Sequence, residues 1–287
     1  MIGIIGGSGL YRMEALRVLR EERLTTPFGE PSDAYILGEL EGREVVFLSR
    51  HGQGHTILPT EINFRANLWG LKTLGCDRVV SVSAVGSMKD HLRPTDVVLP
   101  DQFVDRTRHR PDTFFGRGIA AHVSLAHPVC PELQAAAYRA CASAGARVHR
   151  GGTYLCMEGP QFSTRAESFL YRSWGVDVIG MTNLQEARLS REAEMCYATL
   201  AMVTDYDCWH EEEENVTTAA ILEVIAANAR LSQEILRETV KALPREHACA
   251  CATALDAAVV TRLDRVPPET LEALVPILKE YRRRQGL

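Results

Sequence analysis

The chain has 287 residues, of which 46% are hydrophobic, and its 32 Lys and Arg against 37 Asp and Glu residues give a formal net charge of −5. Such a composition is ordinary for a globular protein and excludes the strong positive charge that nucleic acid or an anionic membrane surface would attract. Without a linker, repeat or charge block, we expect one domain. Without a basic leader or an apolar run of about 20 residues, we expect no membrane contact and a cytoplasmic location.

Short apolar runs alternate with longer segments of helical periodicity along the chain. The runs predict strands at Ile2–Ile5, Ala34–Leu40, Glu44–Ser49, Arg78–Ser83, Asp96–Leu99, Thr153–Met157, Val176–Gly180 and Ala198–Thr204. Helices are predicted at Asn63–Leu74, Pro131–Ala144, Arg165–Trp174, Leu184–Ala193, Thr217–Leu243 and Pro268–Arg284, and a capping box of Thr164 and Glu167 opens the third. Strands cluster early and helices dominate from about residue 217. We therefore expect an α/β fold with a central mixed, twisted β-sheet flanked by helices.

A glycine-rich turn, Gly3–Leu10, follows the first predicted strand and contains Ser8. Glycines let backbone amides approach an anion, and a serine adds a hydroxyl donor. The third glycine of a dinucleotide fingerprint would fall at Arg12, and no Gly-Lys-Ser/Thr follows as in a phosphate-binding loop of the Walker type. A phosphate cradle and a plain tight turn remain equally open here.

Arg50 and His51 follow the predicted strand Glu44–Ser49. A guanidinium fork suits phosphate because it offers two donors to two oxygens at once. A surface arginine beside a core histidine is the simpler interpretation. The Arg-His-Gly of histidine phosphatases is a third, but in that family the motif follows the first strand, whereas about 45 residues precede it here.

Polar residues also end two further predicted strands. Ser83 and Ala84 close one of them, and Met181 and Thr182 follow Val176–Gly180. Each could be no more than a crowded turn. Because α/β sheets collect ligands at the carboxyl ends of their strands, the four candidate positions together predict one pocket.

Asp205 and Asp207 end the last predicted strand, Ala198–Thr204. If the extended backbone continues, residues two apart face the same way, so that both carboxylates can meet one small molecule. A solvated turn is the alternative. A metal site shared with His210 and the run Glu211–Glu214 is disfavoured, because no second histidine has helical spacing and acidic residues commonly open a helix.

Eight cysteines are scattered along the chain without a CxxC pair: Cys76, Cys130, Cys141, Cys156, Cys196, Cys208, Cys249 and Cys251. We expect most of them to be small core residues. Cys249 and Cys251 are close enough to act as a redox pair or to form disulfides, although inert thiols are the more common state in a cytosolic protein.

Six motifs together, Gly3–Leu10, Thr26–Ser32, Arg50–Gly52, Asn63–Asn67, Glu158–Ser168 and Thr204–Trp209, closely resemble the S-methyl-5'-thioadenosine phosphorylases, which are trimeric purine nucleoside phosphorylases. The resemblance runs from residue 2 to about residue 240. It implies one nucleoside phosphorylase domain over residues 1–287, with a helical segment from about 217, assembled as a homotrimer or a dimer of trimers. The implied reaction uses inorganic phosphate as a co-substrate, without a cofactor or metal, to release adenine and 5-methylthioribose 1-phosphate from 5'-methylthioadenosine.

The resemblance also assigns residues to roles. Phosphate would be bound by Ser8, Arg50, His51, Ser83, Ala84 and Thr182, and the nucleoside by Phe162, Ser163, Met181, Asp205, Asp207, Thr218, Ile221, Leu222 and, from a neighbouring subunit, His122. Asp205 and Asp207 would be catalytic, with Asp205 as the acid that protonates N7 of adenine, a role typically worth ~10²–10⁴ in rate. Closely spaced cysteines near the end also occur in thermophilic relatives.

Two positions predict the base. Relatives that act on 6-oxopurines carry Glu after the Phe of this motif and Asn near the strand end, where this chain has Ser163 and Asp205. Asp207 can accept a hydrogen bond from a 6-amino group, so adenine is favoured. Ser8 stands where the family has Thr, and the divergent end leaves the outer wall of the methylthio pocket unassigned. A broader adenosine-accepting phosphorylase and a non-catalytic nucleoside-binding protein remain alternatives.

Overall fold

The computed structural model describes residues 1–7, 10, 13–210 and 218–287, except for the side chains of residues 218–222. The described strands form one mixed sheet: β1 Ile2–Gly6, β2 Arg17–Glu22, β3 Tyr35–Leu40, β4 Arg43–Ser49, β5 Arg78–Ser87, β6 Val97–Leu99, β7 Gln102–Arg106, β8 Val148–Arg150, β9 Thr153–Met157, β10 Val178–Gly180 and β11 Cys196–Tyr206. The α-helices are α1 Phe64–Thr73, α2 Pro131–Ser143, α3 Arg165–Ser173, α4 Asn183–Glu192, α5 Thr218–Ala242, α6 Pro268–Ala273 and α7 Val275–Gln285.

Strand β5 is the centre of the sheet. It runs parallel to β1 along one edge and parallel to β11 along the other, and β4 extends the parallel set beyond β1. Near its end, β5 pairs with β10 in the antiparallel sense, and β10 continues through β9 to β7. Four neighbouring parallel strands therefore end at one edge of the sheet.

Helices cover both faces of this sheet. On β1, Ile4 belongs to one group of buried apolar side chains and Ile5 to the other, because successive strand residues point to opposite faces. Helices α2 and α5 pack on the first face, and α1, α4 and α7 on the second. Within the described residues, none of the helices has the length and hydrophobicity needed to cross a bilayer.

The predicted α/β fold with a central mixed sheet is confirmed, and so is the capping box. Thr164 Oγ1 accepts from Glu167 N at 3.2 Å, and Glu167 Oε2 accepts from Thr164 N at 2.8 Å. The sequence pattern did not predict strands β2, β7 and β8, because they are short or polar. Five of the six residues of β2 are exposed.

The predicted helix Pro268–Arg284 is wrong as a single element, because it breaks at Leu274. Pro276 lies in the first turn of α7. A proline ring clashes with the carbonyl of the preceding turn and removes one N–H donor, so one uninterrupted helix could not include it without strain.

Candidate active site

The predicted site residues follow the ends of neighbouring parallel strands. Gly6 of β1 is paired with Ser49 of β4, and the Arg50 N–H continues this pairing by donating to Gly6 O at 2.9 Å. Across β5, Asp205 of β11 is paired with Gly86. Since the carboxyl ends of parallel strands meet at one edge, the sheet brings these separate motifs together as predicted.

Arg50 is buried in an ion pair with Glu186 of α4. The Nε donates to Glu186 Oε1 at 2.5 Å, Nη2 donates to Ser81 Oγ at 2.6 Å and to Glu186 Oε2 at 3.3 Å, and Nη1 donates to Val82 O at 3.0 Å. Burial alone would lower the pKa of Arg50, but the carboxylate of Glu186 outweighs it, and the pKa is raised. Of the five guanidinium N–H groups, one on Nη1 is left without an acceptor among the described residues.

The buried hydrogen-bond network continues beyond this ion pair. Glu186 Oε2 accepts from Ser81 Oγ at 2.7 Å and from Tyr197 Oη at 2.9 Å. Asn183 donates to the same two hydroxyl groups at 2.8 and 2.9 Å and accepts from Ser83 Oγ at 2.6 Å. Sequence reasoning missed Asn183 and Glu186, although polar residues three apart on one helix, directly after Thr182, were an available signal.

Thr182 and Ser83 are brought together by this network. Both are buried, at 5% and 8% exposure, and Thr182 is the N-cap residue of α4, next to the Asn183 side chain that bonds Ser83. Ala84 is exposed at the same end of β5. Free N–H groups and the partial positive charge of a helix N-terminus suit an anion. The three positions therefore lie where an anion could be bound, and their role in phosphate binding stays a prediction.

The surroundings of the half-buried His51 favour the neutral imidazole. Burial lowers its pKa to about 4, and its Nδ1 lies 2.8 Å from Ile57 O. The ring also stacks on His55, with ring centroids 4.2 Å apart. Because a carbonyl oxygen only accepts, Nδ1 carries the proton, and Nε2 of the neutral ring is an acceptor. His51 can therefore accept a hydrogen bond from a protonated phosphate oxygen.

Asp205 and Asp207 both lie close to Gly86. Strand β11 continues to Tyr206, although its register against β5 shifts between Val203 and Asp205. A Cβ atom added to Gly86 would lie 3.4 Å from Asp205 Oδ2 and 3.6 Å from Asp207 Cβ, which places both aspartates beside the same point of β5. Asp207 is buried, and its Oδ2 has no hydrogen-bond partner among the described residues. That oxygen can accept a further hydrogen bond.

The loop that contains Phe162 and Ser163 lies beside this carboxylate pair. Ser163 O accepts from the Cys208 thiol at 3.3 Å, and Ser163 Oγ donates to Met157 Sδ at 3.9 Å. The Phe162 side chain is 83% exposed. The structure thus places Ser163 next to the aspartates, but it leaves the Phe162 ring on the surface.

Arg110 is a further positioning residue that sequence reasoning missed. It donates to the carbonyl oxygen of Met181 and to Glu158 O, the latter at 2.6 Å, and so ties the loop after β10 to the loop after β9. Gly159, with φ +67°, packs against Met181, since a Cβ there would lie 2.6 Å from the sulfur. Arg110 lies in a stretch without apolar periodicity, so nothing in the sequence signalled its role.

Several predicted residues fall outside these contacts. Ser8 and the side chains of Thr218, Ile221 and Leu222 lie outside the described residues. His122 is exposed, and its N–H donates to Ala258 O at 2.9 Å. In the described part of the chain, the only His, Cys, Asp or Glu group close enough to hold a metal ion consists of four cysteines. The run Glu211–Glu214 is not described.

Comparison with known proteins identifies similar chains over nearly the full length. The model of the "Phosphorylase superfamily" matches residues 1–241. The S-methyl-5'-thioadenosine phosphorylase of Koribacter versatilis is 58% identical, covering 98% of this chain and 96% of the relative, and that of Geobacter sulfurreducens is 54% identical, covering 98% and 99%.

Solved structures of similar proteins have the same fold as this chain. The methylthioadenosine phosphorylase from an Antarctic soil metagenomic library superposes with a TM-score of 0.93 at 48% identity, covering 96% of this chain and 98% of that one. A mutant adenosine/methylthioadenosine phosphorylase from Schistosoma mansoni, in complex with methylthioadenosine, has a TM-score of 0.80 at 35% identity, covering 86% and 92%.

Proposed function

Since this chain belongs to the phosphorylase superfamily, and within it to the S-methyl-5'-thioadenosine phosphorylases, we propose that it catalyses the phosphorolysis of 5'-methylthioadenosine. The products are adenine and 5-methylthioribose 1-phosphate. One observation carries the proposal: β5 contacts both halves of the candidate site, with Ser83 in the anion-suited network and Gly86 beside the two aspartates. Three residues of strand span about 10 Å, which one nucleoside and one phosphate can bridge.

The phosphate half works by position rather than by net charge. Glu186 neutralises Arg50, so the guanidinium offers one oriented N–H beside the Ser83 and Thr182 hydroxyls and the N-terminus of α4. Held there, phosphate attacks C1' of the ribose as the bond to N9 of adenine breaks. Such positioning and the phosphate charge stabilise the oxocarbenium character of the sugar, and the proposed reaction uses no cofactor.

The adenine half supplies the proton. Thr204 Oγ1 lies within hydrogen-bond distance of both Val85 O, at 3.3 Å, and Asp205 Oδ1. The Thr204 hydroxyl donates to Asp205 Oδ1, the closer of the two acceptors, and so holds this carboxyl group in place. A carboxyl group positioned at the end of β11 supports Asp205 as the acid that protonates N7 of the leaving base.

Base selection follows from the remaining groups. Asp207 Oδ2, which has no partner in the described part of the chain, is an acceptor suited to a 6-amino group, and Ser163 nearby offers no carboxylate for the N1-H of a 6-oxopurine. A site built around a buried acceptor rejects a ligand that presents another acceptor, because both groups lose their hydrogen bonds to water. We therefore propose adenine as the base.

Assembly as a homotrimer or a dimer of trimers is part of the proposal. His122 is exposed, as a residue lent to a neighbouring subunit would be in an isolated chain. Thr218, Ile221 and Leu222 are proposed to surround the methylthio group. The cytoplasmic location expected from the sequence stays a prediction.

The test measures phosphate-dependent adenine or hypoxanthine release from 5'-methylthioadenosine, adenosine and inosine. We expect the highest kcat/KM for 5'-methylthioadenosine and very slow cleavage of inosine. No release from any nucleoside would rule out the enzyme and leave a nucleoside-binding protein. Equal rates for methylthioadenosine and adenosine would establish the broader phosphorylase, and faster cleavage of inosine would refute the assignment of the base.

A further inference from the structure

Four cysteines from distant parts of the chain meet at the end of the sheet opposite the candidate active site. The Sγ atoms of Cys130, Cys196, Cys249 and Cys251, here called the cysteine cluster, all lie within 4.8 Å of one another. The Cys130–Cys249 and Cys196–Cys249 sulfur separations are 3.8 and 3.1 Å, and all four are free thiols. Three of the four are buried, and Cys249 is half-buried.

Donor groups and positive charges lie beside the cysteine cluster. Cys130 is the N-cap residue of α2, where free N–H groups and the helix dipole stabilise a negative sulfur. The His247 Nε2 lies 3.3 Å from Cys196 Sγ and can donate to it. Arg78, which donates to the carbonyl of Glu246, and Arg191 add positive charge nearby.

We propose that the cysteine cluster is a structural binding site for a divalent metal ion with tetrahedral thiolate coordination, for which Zn²⁺ is the best match. A tetrahedron with Zn–S bonds of about 2.3 Å has edges of about 3.8 Å, which matches the Cys130–Cys249 separation and lies within the 4.8 Å limit of the cluster. Four metal–sulfur bonds form and each thiol gives up its proton to solvent; no electron is transferred, and no oxidant is needed. Soft sulfur ligands exclude Mg²⁺ and Ca²⁺.

The site is structural because it is closed and remote from the chemistry. Four protein ligands leave no open coordination position for a substrate. Cys196 is the first residue of β11, and Asp205 lies nine residues further along that strand, a distance of about 30 Å. A bound ion would tie together the start of α2, the start of β11 and the turn after α5 that contains Cys249 and Cys251.

The experiment uses the full-length protein, purified with a reductant and zinc in the medium. We expect about one Zn²⁺ per chain by elemental analysis. In reduced, metal-free protein, added Co²⁺ should give the charge-transfer and ligand-field absorption of a tetrahedral tetrathiolate site. Metal removal should lower Tm by several degrees, on the order of 10 °C for a tight site, without changing kcat well below Tm.

The double variant Cys249→Ser/Cys251→Ser should lose the metal, whereas Cys141→Ala, which removes a buried thiol on α2 outside the cluster, should retain it. Equal metal content in the double variant and the wild type would refute the site. Failure of reduced wild-type protein to bind Zn²⁺ or Co²⁺ would refute the site as well. This measurement does not depend on whether a variant folds. A third outcome would also overturn the proposal: the protein purified without reductant contains no metal, its four thiols are in disulfides, and it still binds no metal after reduction.

Discussion

The phosphate half and the adenine half of the candidate site are built on opposite principles. In the phosphate half, Arg50, Glu186, Ser81 and Asn183 all have hydrogen-bond partners and are buried. In the adenine half, Asp207 Oδ2 is buried without a partner among the described residues, and Phe162 lies exposed. Apart from one N–H of Arg50, the polar groups of the first half are satisfied without a ligand, whereas the second half holds a buried acceptor that has no partner among the described residues.

The contrast indicates how the two halves contribute. A satisfied buried network is rigid, and it fixes the anion site before phosphate arrives, so its disruption should mainly destabilise the fold. An unsatisfied acceptor lowers the stability of the free protein and gains its hydrogen bond when the ligand binds, so its removal should mainly affect catalysis. Four predictions test this difference, beginning with the largest expected effect.

Replacing Glu186 by Ala should produce the largest loss of stability. It leaves Arg50 buried without its counter-ion, which typically costs about 3–5 kcal/mol of unfolding free energy. Urea unfolding at fixed protein concentration measures the change. Glu234→Ala, which breaks the exposed ion pair with Arg237, is the matched control and should cost about 0.5 kcal/mol or less. Similar losses in both variants would contradict the rigid phosphate half.

Replacing Asp205 by Asn should lower kcat for 5'-methylthioadenosine by ~10² or more, about 2.7 kcal/mol in activation free energy, because the amide cannot protonate N7. The unfolding free energy should change little. Single-turnover adenine release is the measurement, and Asp90→Asn, at a side chain that is 78% exposed, is the control. Near-normal turnover would remove Asp205 from the mechanism.

Replacing Asp207 by Asn should reduce kcat/KM for 5'-methylthioadenosine about 10-fold while leaving the protein as stable as the wild type or more stable by ~0.5–1 kcal/mol. The physical reason is that a buried carboxylate oxygen without a partner is exchanged for a neutral group. Parallel assays with 5'-methylthioinosine should show a relative gain for the 6-oxopurine. A loss of stability with unchanged base preference would show that Asp207 is structural.

His51 should contribute a pH-dependent stability. Its folded pKa of about 4 lies below the ordinary value of 6.5, so between these values the unfolded chain binds more protons, and stability falls as the pH drops from about 7 to 4. Between pH 7 and pH 4, the unfolding free energy of the wild type should therefore fall by roughly 1 kcal/mol more than that of His51→Gln, after allowance for the partial exposure of the ring. Unfolding free energies of the wild type and His51→Gln that differ by the same amount at every pH would contradict the lowered pKa of His51.

The local pattern of the sequence predicted most of the elements that position the site. Thr153–Met157 was predicted with the bounds that the structure shows, because a short apolar run between turns has few alternatives. Placement of Arg50, Thr182 and Asp205 at strand ends followed from the same patterns. The exposed strand β2 shows the limit, since an edge strand with neither face buried leaves no hydrophobic periodicity.

By itself, then, the sequence determined which segments form strands and helices, which motifs follow the strand ends and which family they resemble. Only the tertiary structure decided which of those residues share space. Glu186 reaches Arg50 across 136 residues of sequence, and Cys130 reaches Cys249 across 119. Such pairs are set by the order and direction of strands in the sheet, and no local propensity encodes them, because contacts between distant segments depend on how whole elements pack.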